Sequence, residues 1–525
     1  MESNIIGILV TIIVYLSGMV AIGIVFTKKN KDVSDFYLGG RKLGPFVSAM
    51  SAEASDMSSW LLMGLPGVAF LCGLAEAGWT AIGLAVGTYL NWLFVAKRLR
   101  VYSQKTNSIT VPDFFSDRYH DRHHMLSGIS ALIILIFFVP YTASGFCACG
   151  KLFHTLFGWN YHVAMIISAV IIITYTSLGG FLAASFTDLI QSIVMTTALA
   201  IIVIFGIRTA GGWDQVVENA KAIPDYLHLT TTRSYGEDGS FTYNVKYGFL
   251  PIVSTLAWGL GYFGMPHILL RFMAAEDKKQ IKLSRRIASI WVVIAMSVAI
   301  LIGFIGNRLA EAGTMKALSG VDKDGNVINN SESVVMEMAK LLSKHGFAAA
   351  LVAGLIFAGI LACTMSTSDS QLLAASSSMS ENIMKGVFKV KLSEQASMLV
   401  ARGVLVVIAV LGVILAWDQN SSVFQVVSFA WGGFGATFGP VMLTALFWKR
   451  SNKWGAAAGL VVGGAMIFIW KFLIRPLGGA WDIYELLPAF ICALTAIIAV
   501  SLLTGKPEEE VQKEYDDVKA LMKEA

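Results

Sequence analysis

Four carboxylic acids, Glu53, Asp56, Asp188 and Asp369, lie within runs that are otherwise apolar enough to cross a membrane, and none has a Lys or Arg close by in sequence. An ionisable group in hydrocarbon is costly and marks a pathway or binding site by default. The bland alternative is a protonated carboxyl satisfied by helix-end amides, and the neighbours weigh between the two. Glu53 and Asp56 sit in Ser51-Ala52-Glu53-Ala54-Ser55-Asp56-Met57-Ser58-Ser59-Trp60, followed by Gly64 and Pro66. Ser and Asp compete for their own backbone and are poor residues inside a helix. A run of this kind can leave the helix at mid-membrane, freeing carbonyls and amides to bind an ion or a carboxylate. A kinked helix packed by small residues is the alternative, and Asp56 weighs against it.

Asp369 ends Cys363-Thr364-Met365-Ser366-Thr367-Ser368-Asp369. Residues 363, 366 and 367 share one helical face, where one carbonyl and two hydroxyls could supply three oxygens to a hard cation. Interhelical hydrogen bonding explains the same residues equally well. A third unusual segment reads Trp258-Gly259-Leu260-Gly261-Tyr262-Phe263-Gly264-Met265-Pro266-His267. Its glycines and proline invite a break, and its aromatics make a compact apolar pocket with polar tips. Their midspan placement argues against an aromatic belt at the membrane surface. His267 reads as structural.

The elements that must position these groups are membrane helices. Of the 525 residues, 55% are hydrophobic and 14% charged, and the mean hydropathy is +0.65. Soluble domains carry about 25% charged residues, so a set of globular domains is excluded, as are disorder and, with 5 Cys, a disulfide scaffold. The net charge of +5 is dispersed between apolar runs and is no nucleic-acid footprint. The fold class is therefore an all-α polytopic membrane protein. Thirteen spans are expected, at 4–26, 46–70, 77–96, 124–150, 160–178, 181–208, 246–270, 286–307, 346–378, 396–416, 423–447, 454–474 and 484–504. Met1-Glu2-Ser3-Asn4 lacks the basic start of a cleavable signal. With the N-terminus outside, the segments 27–43, 97–123, 271–286, 379–395, 448–453 and 505–525 face the cytoplasm and gather 27 of the 40 Lys and Arg. The positive-inside rule thus places the N-terminus outside and the C-terminus in the cytoplasm. The second and seventh spans are both interrupted and lie five spans apart in opposite directions. That pattern indicates a five-plus-five inverted repeat with its site at the repeat interface.

Outer segments 209–245 and 308–345 are long enough to fold on the surface, with turns at Asp238-Gly239 and Asp324-Gly325. Asp322-x-Asp324-Gly325 has its glycine too early for a calcium loop. Residues 333–344 alternate at helical period and are expected on the membrane surface. The tail carries Val511, Tyr515, Val518 and Met522 on one stripe, as a short cytoplasmic amphipathic helix would. Weaker signals are Leu38 to Gly44, which lacks the ending of a phosphate loop, and Tyr119 to His124, read as a solvated helix start in preference to a metal site. Cys147 and Cys149 face apart as small core residues. Asn329-Asn330-Ser331 is a sequon. Trp431-Gly432-Gly433-Phe434-Gly435 reads as a flexing gate or as close helix packing.

Taken together, several of these motifs are similar to one known family. Gly39-Gly40-Arg41-x-Leu43-Gly44-Pro45-Phe46, Ala54-Ser55-Asp56-Met57-Ser58-x-Trp60, Tyr141-x-Ala143-Ser144-Gly145, Gly179-Gly180-Phe181 with Thr187-Asp188, Trp258 to His267, Arg271-Phe272-Met273-Ala274-Ala275, Met365-Ser366-Thr367 and Gln371-Leu372-Leu373 resemble the sodium/solute symporter family from about residue 10 to 505. The resemblance implies a LeuT-type core after one extra N-terminal helix. A single transmembrane unit over 1–505 would comprise that helix (4–26), a first repeat (44–208), a second (246–447) and two C-terminal helices (454–504), followed by a tail at 506–525. It implies a sodium site formed by the carbonyls of Ala54, Met57 and Cys363 with the hydroxyls of Ser366 and Thr367, supported by Asp56, Ser58 and Asp188. It implies a solute site of Ser59, Trp60, Tyr141, Trp258, Tyr262 and Pro266, with L-proline the solute in the branch matched best. Glu53 and Ser59 stand where the family pattern has glycine, and Met265 and Cys363 also depart from it.

The expected function is sodium-coupled uptake of L-proline across the bacterial plasma membrane by alternating access, one sodium per proline. Sodium is the coupling ion and no other cofactor is expected. The partners are sodium, L-proline and the lipid bilayer, with no nucleic acid and no obligate protein partner. The alternatives are a sodium- or proton-coupled symporter of another small solute and, less well supported, a passive channel, which would need repeated rings of pore-lining carbonyls or charges. An enzyme is not expected, since there is no metal cluster or nucleophile triad.

Overall fold

In a bilayer each segment must satisfy its own backbone polar groups, and the apolar runs accordingly form helices. The computed structural model describes residues 2–28, 32–321, 325–419 and 422–523. Among these residues ten helices are long and apolar enough to cross a membrane: Asn4–Thr27, Leu74–Lys105, Met125–Phe157, Tyr161–Thr209, Ile281–Glu311, Phe347–Val387, Glu394–Leu415, Val423–Phe447, Lys453–Leu477 and Leu486–Leu503. Two further apolar segments are interrupted. Helices Pro45–Ser59 and Leu65–Cys72 are separated by a wide turn at Trp60–Gly64. Helices Phe249–Leu256 and Pro266–Ala274 are separated by a tight turn at Ala257–Phe263.

The 49 residues of Tyr161–Thr209 would span about 74 Å if straight, more than twice a bilayer core. They do not run straight, because Gly180 adopts φ 62, ψ −161, a conformation natural only to glycine. Tyr161 donates to the Ala416 carbonyl (2.6 Å) and Gly206 packs on Met338 and Ile305, while Phe181 and Leu182 between them abut Gly39. The chain therefore turns back at Gly180. One face of the molecule gathers Lys151, Glu332 and Ser422. The opposite face gathers Arg41, Ser103, Ser108 and Met273 around the Arg41 guanidinium.

Between the sixth and seventh expected spans, strands Thr231–Tyr235 and Phe241–Lys246 pair antiparallel. The turn at Asp238-Gly239 is present, with Gly239 at φ +79. Arg233 fixes the hairpin by donating to the carbonyls of Phe70 and Leu71. Residues 333–344 do form a helix, Val334–Ser343, but its apolar side is not on a membrane surface: Val334, Val335, Met338 and Ala339 are fully buried in the protein. Asp322 and Asp324 of the other expected turn lie outside the described residues. The tail forms helix Glu509–Lys523, and Val511, Tyr515 and Val518 are buried. Around it Lys105 meets Asp517 (3.4 Å), Lys449 meets Asp516 (2.6 Å) and His120 meets Glu514 (3.2 Å).

Candidate functional site

Both breaks follow from local chemistry. Ser58 takes φ 47, ψ −170, and its Oγ accepts from the Trp60 amide (3.2 Å), which also points to the Met57 carbonyl. At the second break Met265 is extended, with φ −73 and ψ 110, because the residue before a proline is disfavoured in the helical region. Pro266 then opens the next helix, where its missing amide costs nothing. Glycines let the second break approach its neighbours: a Cβ on Gly259 would lie 2.2 Å from the Gly83 carbonyl oxygen, and one on Gly261 2.0 Å from Trp431 Nε1.

The first break meets helix Phe347–Ser377. Ser366 Oγ donates to the Ala54 carbonyl (2.7 Å) and lies 3.2 Å from the Cys363 carbonyl, which Thr367 Oγ1 also approaches at 3.2 Å. The structure thus brings Ala54, Cys363, Ser366 and Thr367 into one buried oxygen cluster. Each hydroxyl keeps lone pairs after donating, so the set can coordinate a hard cation. Met57, one turn beyond Ala54, borders the adjoining cavity, and its carbonyl accepts the Trp60 amide.

That cavity is narrow in this conformation and is lined by Asp56, Met57, Ser58, Trp60, Leu84, Tyr141, Trp258, Val427 and Trp431. Trp60 and Trp258 stand 5.8 Å apart, and the Trp431 Nε1 group fixes the Trp258 carbonyl (2.8 Å). The buried Trp60 Nε1 has no hydrogen-bond partner among the described residues. Of the expected solute residues, Trp60, Tyr141 and Trp258 line the cavity, whereas Ser59 and Pro266 do not. Tyr262 acts from behind: its hydroxyl donates to Asp56 Oδ2 and its ring sets edge-on to Trp431 (5.1 Å).

Asp188 lies outside the cavity. Its Oδ2 accepts from Ser51 (2.7 Å), Ser55 (3.1 Å) and the Arg271 guanidinium (3.0 Å), and Arg271 also reaches Ser370 (2.5 Å). Sequence reasoning counts Arg271 among loop residues; it is instead buried on helix Pro266–Ala274 and is the partner that Asp188 lacks in sequence. Asp369 accepts from Tyr175 (2.9 Å) and Ser370 (3.0 Å). Leu84, Val427 and Trp431 were also missed as cavity residues. Only Trp431 carried a signal, the glycines beside it. At those glycines the helix is closely packed, since a Cβ on Gly433 would meet Phe137 at 2.3 Å and one on Gly435 the Gly261 Cα at 2.8 Å.

Residues 36–463 match the model of the sodium:solute symporter family. A Haemophilus influenzae protein named sodium/proline symporter is 42% identical over 523 residues, covering 98% of each chain. One of the same name from Escherichia coli K12 is 39% identical, covering 98% of this chain and 96% of its own. A Bacillus subtilis protein named high-affinity proline transporter PutP is 38% identical, covering 96% of this chain and all of its own, 100%. Among solved structures, a sodium-coupled sialic acid symporter superposes with TM-score 0.77 at 18% identity, covering 96% of this chain and 99% of that one. A nucleobase-cation-symport-1 family transporter in a closed conformation superposes with TM-score 0.56 at 15% identity, covering 92% and 98%. The fold is shared with these transporters. With a family model matched over most of its length and relatives aligned nearly end to end, this multi-pass membrane protein belongs to the sodium:solute symporter family.

Proposed function

We propose that this protein is a secondary active transporter that uses sodium entry to drive L-proline uptake across the bacterial plasma membrane by alternating access. The observation that carries this reading is the meeting of three features at the first helix break. An oxygen cluster (Ala54, Cys363, Ser366 and Thr367), a narrow cavity walled by aromatic rings and an acidic side chain, Asp56, lie within a few residues of one another. A cation bound by the cluster, completed by the Met57 carbonyl, sits beside the solute, so filling one site favours filling the other. Asp56 and Ser58 connect the two sites, and Asp188 steadies the base of the first broken helix through Ser51 and Ser55.

L-proline presents a carboxylate, a secondary ammonium and a compact ring. The carboxylate suits the unspent Trp60 Nε1 and the amides freed around Ser58 and Ser59. The ring and ammonium suit the aromatic walls of Tyr141 and Trp258, while Tyr262 and Pro266 hold the second break in place. Voltage alone supplies about 2.3 kcal/mol per charge per 100 mV, which at 1.4 kcal/mol per decade is roughly a fifty-fold solute gradient per ion. No covalent bond is made or broken, so the protein is not an enzyme.

The finer architecture belongs to the same proposal. It has thirteen spans with the N-terminus outside and the C-terminus in the cytoplasm, and its halves at 44–208 and 246–447 are related by an inverted repeat. The helices at 4–26 and 454–504 lie outside that core within the single unit 1–505, and 506–525 is a cytoplasmic tail. The breaks at Ser58 and Met265, one near the start of each half, support it. Labelling of single cysteines at positions 237 and 508 from either side of sealed vesicles tests the orientation, and a substrate-competition panel against labelled proline tests the solute.

A further inference from the structure

Glu53 has no role in the sites above. It lies on helix Pro45–Ser59, 1% exposed, three residues before Asp56, so the two carboxyl groups share a helical face. Trp92 Nε1 donates to Glu53 Oε1 (3.1 Å), while Glu53 Oε2 is buried with no hydrogen-bond partner among the described residues. The facing wall is the end of helix Leu74–Leu90 and the wide turn after it. There Asn91 Nδ2 donates to the Tyr262 carbonyl (2.9 Å), which commits its donor half and leaves Oδ1 buried without a partner among the described residues. Thr88, also fully buried, places its hydroxyl beside that of Tyr262, which is already committed to Asp56.

The unspent atoms in this layer are therefore the carboxyl oxygen of Glu53, the amide oxygen of Asn91 and the Thr88 hydroxyl, an oxygen set that a hard cation can share. None of the ion pairs found among the described residues involves Glu53 or Asp56. Arg271, at the base of the same helix, is committed to Asp188. As a carboxylate, Glu53 would be an uncompensated buried charge unless a cation lay beside it. The first cation site consists of neutral oxygens with Asp56 as its counter-charge. Glu53 is then the counter-charge for a second ion of the same charge.

We propose that Glu53, Asn91 and Thr88 hold a second sodium ion next to the first, so that two sodium ions accompany each solute molecule. The proposal rests on the sodium-coupled reading above and raises its stoichiometry from one to two. A second charge would multiply the voltage-driven accumulation limit by roughly fifty-fold per 100 mV. The test uses the full chain purified into liposomes, with initial rates of labelled sodium and labelled proline entry measured together. The expected result is two sodium ions per proline and a sigmoidal sodium dependence in the wild type. Glu53→Gln, and independently Thr88→Val, should bring the ratio to one and make the dependence hyperbolic. A wild-type ratio of one overturns the proposal, whether a water or a proton occupies the layer. A ratio of two that persists in both variants overturns it as well. Proline entry indifferent to sodium in the wild type would instead remove the sodium-coupled reading itself.

Discussion

Replacing Thr367 or Ser366 by Ala removes one hydroxyl from the oxygen cluster without adding bulk. Ser366 is fully buried and Thr367 is 3% exposed, so water cannot readily take the place of the lost oxygen. The loss of one contact to a charged group is worth about 1.5–3 kcal/mol. At 1.36 kcal/mol per tenfold change, half-saturation by sodium should rise about 10- to 150-fold. Ser366→Ala should lie at the upper end, because it also strips the Ala54 carbonyl of its donor at 2.7 Å. Thr367→Ser keeps the oxygen and should stay near wild type. The assay is initial proline uptake in inverted or reconstituted vesicles over a sodium titration, with protein amount measured by immunoblot. Proline half-saturation at saturating sodium should move far less than the sodium value. Unchanged sodium dependence in both Ala variants would refute the assignment of this cluster as the cation site.

Trp258→Ala should raise the proline concentration for half-maximal uptake much more than the sodium one, and equal shifts would point to a packing role. Asp56→Asn should abolish sodium-driven uptake while the protein still reaches the membrane; normal uptake would mean that Asp56 is only a structural hydrogen-bonding group. Breaking a buried ion pair from one side costs about 3–5 kcal/mol, so Asp188→Asn and Arg271→Gln should each lower membrane abundance and the double variant should recover part of it. A double variant worse than either single one would contradict the pairing. Deleting 508–523 should lower the thermal midpoint in detergent, whereas Lys449→Ala alone should change it little, since exposed pairs contribute about 0.2–1 kcal/mol. A large effect of Lys449→Ala would mean that its pair with Asp516 is the main attachment of the tail.

The second and seventh segments declare their breaks in sequence because Ser, Asp, Gly and Pro are unsuited to a continuous helix. Met265 is marked in the sequence by the proline that follows it, whereas nothing local singles out Ser58 among the serines of its run. The expected span at 423–447 coincides with helix Val423–Phe447, whereas 286–307 lengthens to Ile281–Glu311. Hydropathy registers only the apolar centre of a helix, and the polar turns beyond it stay helical where they find protein partners. Residues 333–344 show a limit of periodicity, since an apolar stripe reads the same whether it faces lipid or protein. Arg271 and Trp431 escaped notice for a related reason. Each acts on residues more than 80 positions away, Asp188 and Trp258, and one sequence records no such pairing.

Uptake of labelled L-proline by the purified protein in sealed liposomes, with an imposed inward sodium gradient and inside-negative potential, examines the whole account at once. Sodium-coupled symport gives saturable uptake that exceeds the external concentration and collapses when choline replaces sodium or when the gradient is dissipated. Proline that only equilibrates across the membrane, or enters equally well without sodium, would contradict it.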